Sequence, residues 1–194
     1  MSRLKPDALC DSLKKIRCGL TVLVVLMLGV MALEVRAEDK EKKRFVDNRD
    51  GTITDRRSGK MWEKKTDDGG IHDVNNRYTW STGSPWDPDG TAFTEFLNTL
   101  NTAPCFAGHC DWRLPKVSRD ADAGMPELET IVDCSFGSPC IDPIFGPTVA
   151  SFYWSATTNA LNPFFSWFVG FDFGNIFNDI KGSNGHVRAV RTGP

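Results

Sequence analysis

Residues 18–33 carry no charge and are almost all apolar, and this run divides the chain. Lys14, Lys15 and Arg17 stand before it. Val35-Arg36-Ala37 follows, a small-x-small pattern of the kind signal peptidase cuts. A membrane anchor is the rival reading. A span needs about 20 apolar residues, and the stretch between Arg17 and Glu34 is shorter. The cut site favours a cleavable signal peptide over residues 1–37, a flexible charged tail over 38–44 and one exported domain over 45–194. The mature form then has no membrane span, and its expected location is the periplasm or the extracellular medium. Cys18 precedes the apolar run, which argues against a lipoprotein, whose lipidated cysteine would follow it.

Export bears on the cysteines. Of the six, Cys10 and Cys18 leave with the leader. Cys105, Cys110, Cys134 and Cys140 remain, an even set in an oxidising compartment. Three pairings are open. The spacing favours two local bridges, Cys105–Cys110 and Cys134–Cys140. Zinc is the rival, but both spacers exceed the usual ligand spacing and only His109 lies nearby.

The formal net charge of −2 hides an asymmetry, with residues 38–65 net basic and residues 66–194 net acidic. No segment has the strong cationic face that nucleic acid requires. The basic leading end suits an anionic glycan or a headgroup, or is a solvated leader.

Hairpin signals open the domain: Phe45-Val46 and Thr52-Ile53-Thr54 flank Asn48-Arg49-Asp50-Gly51, and Arg57-Ser58-Gly59 precedes Lys60-Met61-Trp62-Glu63. Tyr78-Thr79-Trp80 reads as a short strand. Phe93, Phe96, Leu97 and Leu100 recur at helical spacing behind Gly90-Thr91. A second helix is expected from Pro126 to near Asp133. The last third reads as strands over 152–155, 165–173 and 186–191. In the middle one, alternation puts Phe165, Trp167, Val169, Phe171 and Phe173 on one face and Ser166, Phe168, Gly170 and Asp172 on the other. Two helices, many short strands, long loops and local disulfides imply an α+β domain.

At DWRLP (111–115) the chain takes on a family character. With DNRDGTITD (47–55), GKMW (59–62), YTWS (78–81), ELETIVD (127–133), YWS (153–155) and VRAVR (187–191), it resembles the bacterial Lcl C-terminal domain family. The resemblance implies a C-type lectin-like fold of two helices and two small antiparallel sheets, with the chain ends brought together. It also implies a recognition role, since the best-known member is a collagen-stalked adhesin that binds sulfated glycosaminoglycans. This chain has no Gly-X-Y stalk.

The candidate ligand residues are Arg188, Arg191 and Lys181, which would form one anion-binding patch with Lys40, Lys42, Lys43 and Arg44 if the ends meet. Arg113 and Trp112 offer a fork for sulfate and a ring for a sugar face, but a purely structural role in DWRLP is the stronger reading. The Asp47–Thr52 turn reads as a hairpin rather than a calcium loop, because its ligand spacing fails. Asp67, Asp68 and Asp73, and Asp172, Asn175, Asn178 and Asp179, offer oxygens for calcium. Otherwise no metal and no cofactor is implied.

His72, His109 and His186 have no nucleophile or carboxylate at motif spacing, there is no G-x-S-x-G element, and all three read as surface residues. Among enzymes, the formylglycine-generating enzymes are the nearest by the resembled fold, and they use reactive cysteines. Local bridges leave none here. The chain therefore reads as a non-enzymatic recognition or adhesion module for a polysaccharide, anionic in the first instance, or for another envelope component. The alternatives are a structural envelope protein with a protein partner and, last, such an enzyme.

Overall fold

The computed structural model describes residues 43–119 and 124–193, so the expected leader and most of the expected tail lie outside the described residues. The folded unit is Arg44–Pro194. No helix among the described residues is long and apolar enough to cross a membrane.

Three short strands open the unit: β1 (Phe45–Asp47), β2 (Thr52–Asp55) and β3 (Lys60–Glu63). The first turn is built by its own carboxylates. Asp47 accepts from the Arg49 N–H at 2.8 Å and Asp50 from the Thr52 N–H at 3.0 Å. Gly51 supplies the left-handed step, with φ +89°. This is the expected hairpin turn, and its carboxylates serve their own backbone.

The second sheet comes from the last third of the chain: β4 (Phe152–Thr158), β5 (Phe165–Gly170) and β6 (Asn175–Ile180), antiparallel and in that order. β7 (Val190–Thr192) returns to the first sheet and pairs with β3, so that its order is β1-β2-β3-β7. The domain is thus α+β with two small antiparallel sheets. The strand expected over 186–191 is regular only from Val190. Residues 185–188 instead connect the two sheets. Gly185 bridges Tyr78, Trp154 N–H donates to the His186 carbonyl at 2.9 Å, and His186 N–H donates to the Phe152 carbonyl at 3.2 Å. A Cβ on Gly185 would sit 2.3 Å from the Phe152 ring and 2.7 Å from Trp154 Nε1, so only glycine fits this junction.

The first helix, α1, is π-wound over Ala92–Leu97 and α-wound over Asn98–Asn101. Phe96, Leu97 and Leu100 are buried, as their spacing requires, and Phe93 packs edge-on to Trp80. The second expected helix is one 3-10 turn, Leu128–Ile131. Tertiary hydrogen bonds hold both of its ends. Glu127 and Leu128 N–H groups both donate to the Lys116 carbonyl, and Asp133 N–H donates to Cys140, which pulls Val132 into an extended conformation.

Neighbouring residues of β3, β4 and the 189–190 step enter different cores. Met61, Trp154 and Ala189 belong to one core cluster with α1, Trp80, Trp112 and Leu114. Their neighbours Trp62, Tyr153 and Val190 belong to a second cluster with Leu128, Phe145 and Phe171. The period-two alternation of strands thus supplies a core on each side. Trp62 and Trp154 are fully buried, each contributing about 3 kcal/mol of apolar transfer.

Two further expectations change. The middle strand ends at Gly170, and residues 171–174 turn into β6. Phe171 is buried, but Phe173 is 78% exposed rather than sharing its face. The short strand at Tyr78-Thr79-Trp80 is a single bridge, Tyr78 to Gly185.

Candidate functional site

The cationic candidates do not converge on a surface patch. Arg188 has no exposed surface. Its guanidinium donates to the carbonyls of Glu63 and Phe145 at 2.8 and 2.9 Å and to Thr148 Oγ1 at 2.9 Å. It ties β3, the loop before β4 and the sheet junction together, and cannot meet a ligand from there. Lys181 is also buried. Its Nζ donates to the Trp86 carbonyl at 2.9 Å and lies 3.9 Å from the centre of the Trp80 ring, with its amine pKa lowered by burial. Arg191 Nε donates to Asp111 at 2.7 Å, which lowers the Asp111 pKa. Arg44 pairs with Asp55 at 2.8 Å, and Lys40 and Lys42 lie outside the described residues.

DWRLP turns inward too. Trp112 is buried, with Nε1 donating to the Phe106 carbonyl at 3.0 Å. Arg113 grips Glu127 through both arms at 2.7 Å. Its backbone bridges Val190, which fastens the motif to β7. The structural role of the motif is the one the geometry supports.

The two expected disulfides are present, Cys105–Cys110 and Cys134–Cys140. Asp68 and Asp73 accept backbone N–H groups of their own loop, from Gly70 at 2.9 Å and from Gly69 and Asn75 at 2.7 and 2.8 Å. Among the described residues, no three His, Cys, Asp or Glu side chains are grouped to hold a metal.

Two histidines differ from the surface reading. His186 is 5% exposed and stacks on Tyr153 at 5.2 Å. His72 Nδ1 lies 2.8 Å from Glu63 Oε1, which also accepts from Lys65 Nζ at 2.8 Å, while Glu63 Oε2 accepts the Ala189 N–H at 2.9 Å. Burial raises the Glu63 pKa, but Lys65 and His72 outweigh it and keep the carboxylate ionised. This buried group joins β3 to the approach of β7.

An open recess lies elsewhere, on the second sheet. Register builds it. Phe152 sits opposite Gly170, and Gly170 opposite Asn175. One step along, on the same face, Trp154 sits opposite Phe168, and Phe168 opposite Phe177. The second row is aromatic across all three strands. The first row has a gap at Gly170, and this gap is the floor of a groove of about 390 Å³. Ring centres of Phe152 and Phe168 are 4.9 Å apart, and those of Phe168 and Phe177 are 6.3 Å apart. Phe173 stands at the mouth. Polar groups enter from Ser151, Asp172 and Asn175. A Cβ on Gly170 would lie 2.6 Å from Asp172 Oδ1 and 3.4 Å from Asn175 Oδ1, so both oxygens gather over the bare backbone. No Lys or Arg lines the groove.

The sequence put Phe168, Gly170 and Asp172 on one face and marked Asp172 and Asn175 as oxygen donors. It did not unite them with Phe152 and Phe177, because only the strand register does so. β6 itself is missed. Asn175, Asn178 and Asp179 have poor strand propensity, and an outer strand tolerates them.

No curated protein and no solved structure matches this chain. The family model described as the Lcl C-terminal domain matches residues 51–191. The match covers the strands from β2 to β6 and most of β7, with most of the segments first noted in the sequence, and the chain belongs to the Lcl C-terminal domain family.

Proposed function

We propose that the protein is an exported, non-enzymatic recognition module with a C-type lectin-like fold, and that it binds a polysaccharide in the groove over β4, β5 and β6. One observation carries the reading: the aromatic row through Phe168 and Phe177 stands beside the Gly170 gap, where Asp172 and Asn175 present oxygens. A sugar ring has apolar C–H faces and polar edges. Ring faces of phenylalanine suit the former, and carboxylate and amide oxygens suit the latter. Both rings are open to a ligand, since Phe177 is 56% exposed and Phe173 is 78% exposed. Export is supported by the apolar run and cut site, and by two disulfides. The lectin-like assignment is supported by two small antiparallel sheets joined by long loops.

The test is a glycan array on the full-length chain, expressed with its own leader and recovered as processed, with and without calcium. Binding that is lost in Phe177→Ala supports the reading. Binding that survives in this variant but is lost in Arg191→Ala contradicts it.

A second reading, a protein partner at the sheet edge, rests on β6. No other strand pairs with its outer side among the described residues. Lys181 N–H donates to the Phe164 carbonyl at 2.9 Å, so alternation aims the backbone groups of Ile176 and Asn178 outward. Ile180 N–H, further along, is already taken by Asp179 at 2.7 Å. Asn178→Pro would block edge pairing and leave the ladder to β5 intact. Loss of a cell-surface complex in that variant, with glycan binding kept, favours this reading.

A further inference from the structure

The groove carries a charge preference, and it is opposite to the one the basic residues of the sequence suggest. Its single formal charge is Asp172. Asp179 lies on the same face of β6 as Asn175 and Phe177, which places a second carboxylate on that surface. The nearest cation along the strand, Lys181, is buried against Trp80 and Trp86 and does not reach the groove. A sulfate or carboxylate entering here would meet one carboxylate and the negative faces of several rings. Among the lining side chains, only the Asn175 amide and the Ser151 hydroxyl could donate to it.

An ammonium group meets the reverse. It has three N–H donors and no acceptor. Asp172 Oδ1 and Asn175 Oδ1 converge over Gly170, at 2.6 and 3.4 Å from the point where a Cβ would stand. Asp172 Oδ1 already accepts the Phe173 N–H at 3.0 Å, which fixes its direction and leaves a second lone pair. The rings of Phe152 and Phe168, 4.9 Å apart, supply the aromatic faces that attract a cation. Carboxylate, amide oxygen and ring faces around one small gap form a receptor for an organic ammonium.

We infer that the groove selects a polysaccharide bearing free amines, of the glucosamine type, over its N-acetylated or sulfated counterparts. The inference rests on the groove being the glycan site. Aromatic contact with the pyranose face is common to both amino forms. The free amine adds a charge-assisted contact to Asp172, and the acetyl group replaces that contact with bulk over Gly170.

The test is calorimetric titration of the processed full-length chain with three hexasaccharides: β-1,4-linked glucosamine, its N-acetylated form, and a heparin fragment. It is run at a pH below the pKa of the sugar amine. The expected result is about tenfold tighter binding of the free-amine hexamer than of the acetylated one. Asp172→Asn should bring the ratio of the two affinities to about one, because the charge that distinguishes the amine is gone while the amide keeps the Oδ1 acceptor for Phe173. Equal binding of both amino forms would overturn the charge preference and leave the glycan reading standing. Tightest binding of heparin would overturn the preference too. Binding of none of the three, with the chain shown folded by its melting transition, would overturn both.

Discussion

Arg113 and Glu127 form a two-armed ion pair, 2.7 Å on each arm, with the carboxylate almost fully buried. Lys60 Nζ approaches the same carboxylate at 2.8 Å, and the Lys116 N–H donates to it at 2.8 Å. The pair joins the DWRLP segment to the single turn of helix after it and, through Lys60, to β3. Burial raises the Glu127 pKa, but Arg113, Lys60 and the Lys116 N–H outweigh it and bring it down from 4.5 to about 2.

This has a consequence for acid stability. A carboxyl whose folded pKa is depressed contributes stability above its unfolded pKa and loses it as pH falls toward the folded one. The loss from Glu127 therefore falls between about pH 4.5 and pH 2, and its ceiling is on the order of 3 kcal/mol. Glu127→Gln should cost about 2 kcal/mol at neutral pH. It should also flatten the stability–pH curve across that window, as urea denaturation at a series of pH values would show. An unchanged acid slope in the variant would count against the pair.

The two C-terminal arginines should behave very differently. Arg188→Ala removes a buried guanidinium that satisfies two carbonyls and a hydroxyl, and should destabilise the domain by about 3 kcal/mol or more. Arg191→Ala loses a pair whose partner, Asp111, is 56% exposed, and should cost under about 1 kcal/mol. Chemical denaturation separates them. Neither belongs to the groove, so Arg191→Ala should leave glycan affinity as it was.

Two glycines on the second sheet separate fold from binding. At Gly185 an added methyl meets two core rings, and Gly185→Ala should cost about 1–3 kcal/mol. At Gly170 it meets the Asp172 carboxylate on the open side of the sheet, so Gly170→Ala should cost under about 1 kcal/mol. The second variant should nonetheless lose most of its glycan affinity, because the methyl fills the groove floor. Thermal melting and titration calorimetry on the same samples give both readouts.

The disulfides should separate in the same way. Each closes a short loop and should contribute about 2 kcal/mol. Only Cys134–Cys140 backs the groove: the Cys140 N–H donates to the Phe171 carbonyl at 2.6 Å, and the turn carrying Asp172 and Phe173 passes against Cys134 at Gly174. Replacing Cys134 and Cys140 with serine should weaken binding as well as stability. The same change at Cys105 and Cys110 should lower stability alone.

Local signals in the sequence reached the hairpin at Asp47–Thr52, the apolar stripe of α1 and both short disulfide loops, because each depends on residues close in the chain. Arg188 misled for a physical reason. Arginine is mostly exposed, and only the return of β7 beside β3 buries it among carbonyls from Glu63 and Phe145. The helical spacing of Leu128, Ile131 and Val132 implies a longer helix than the single turn at Leu128. Contacts to Lys116 and Cys140, far from periodicity's reach, decide its length. The groove was invisible for the same reason: Phe152, Phe168 and Phe177 become neighbours only through the register of three strands.

The groove as ligand site is tested most directly by amide chemical-shift mapping during titration with the glucosamine hexasaccharide. The largest shifts should fall on Phe168, Gly170, Asp172, Phe173, Asn175 and Phe177. Shifts centred on Arg113 and Arg191, with these six unmoved, would contradict the account.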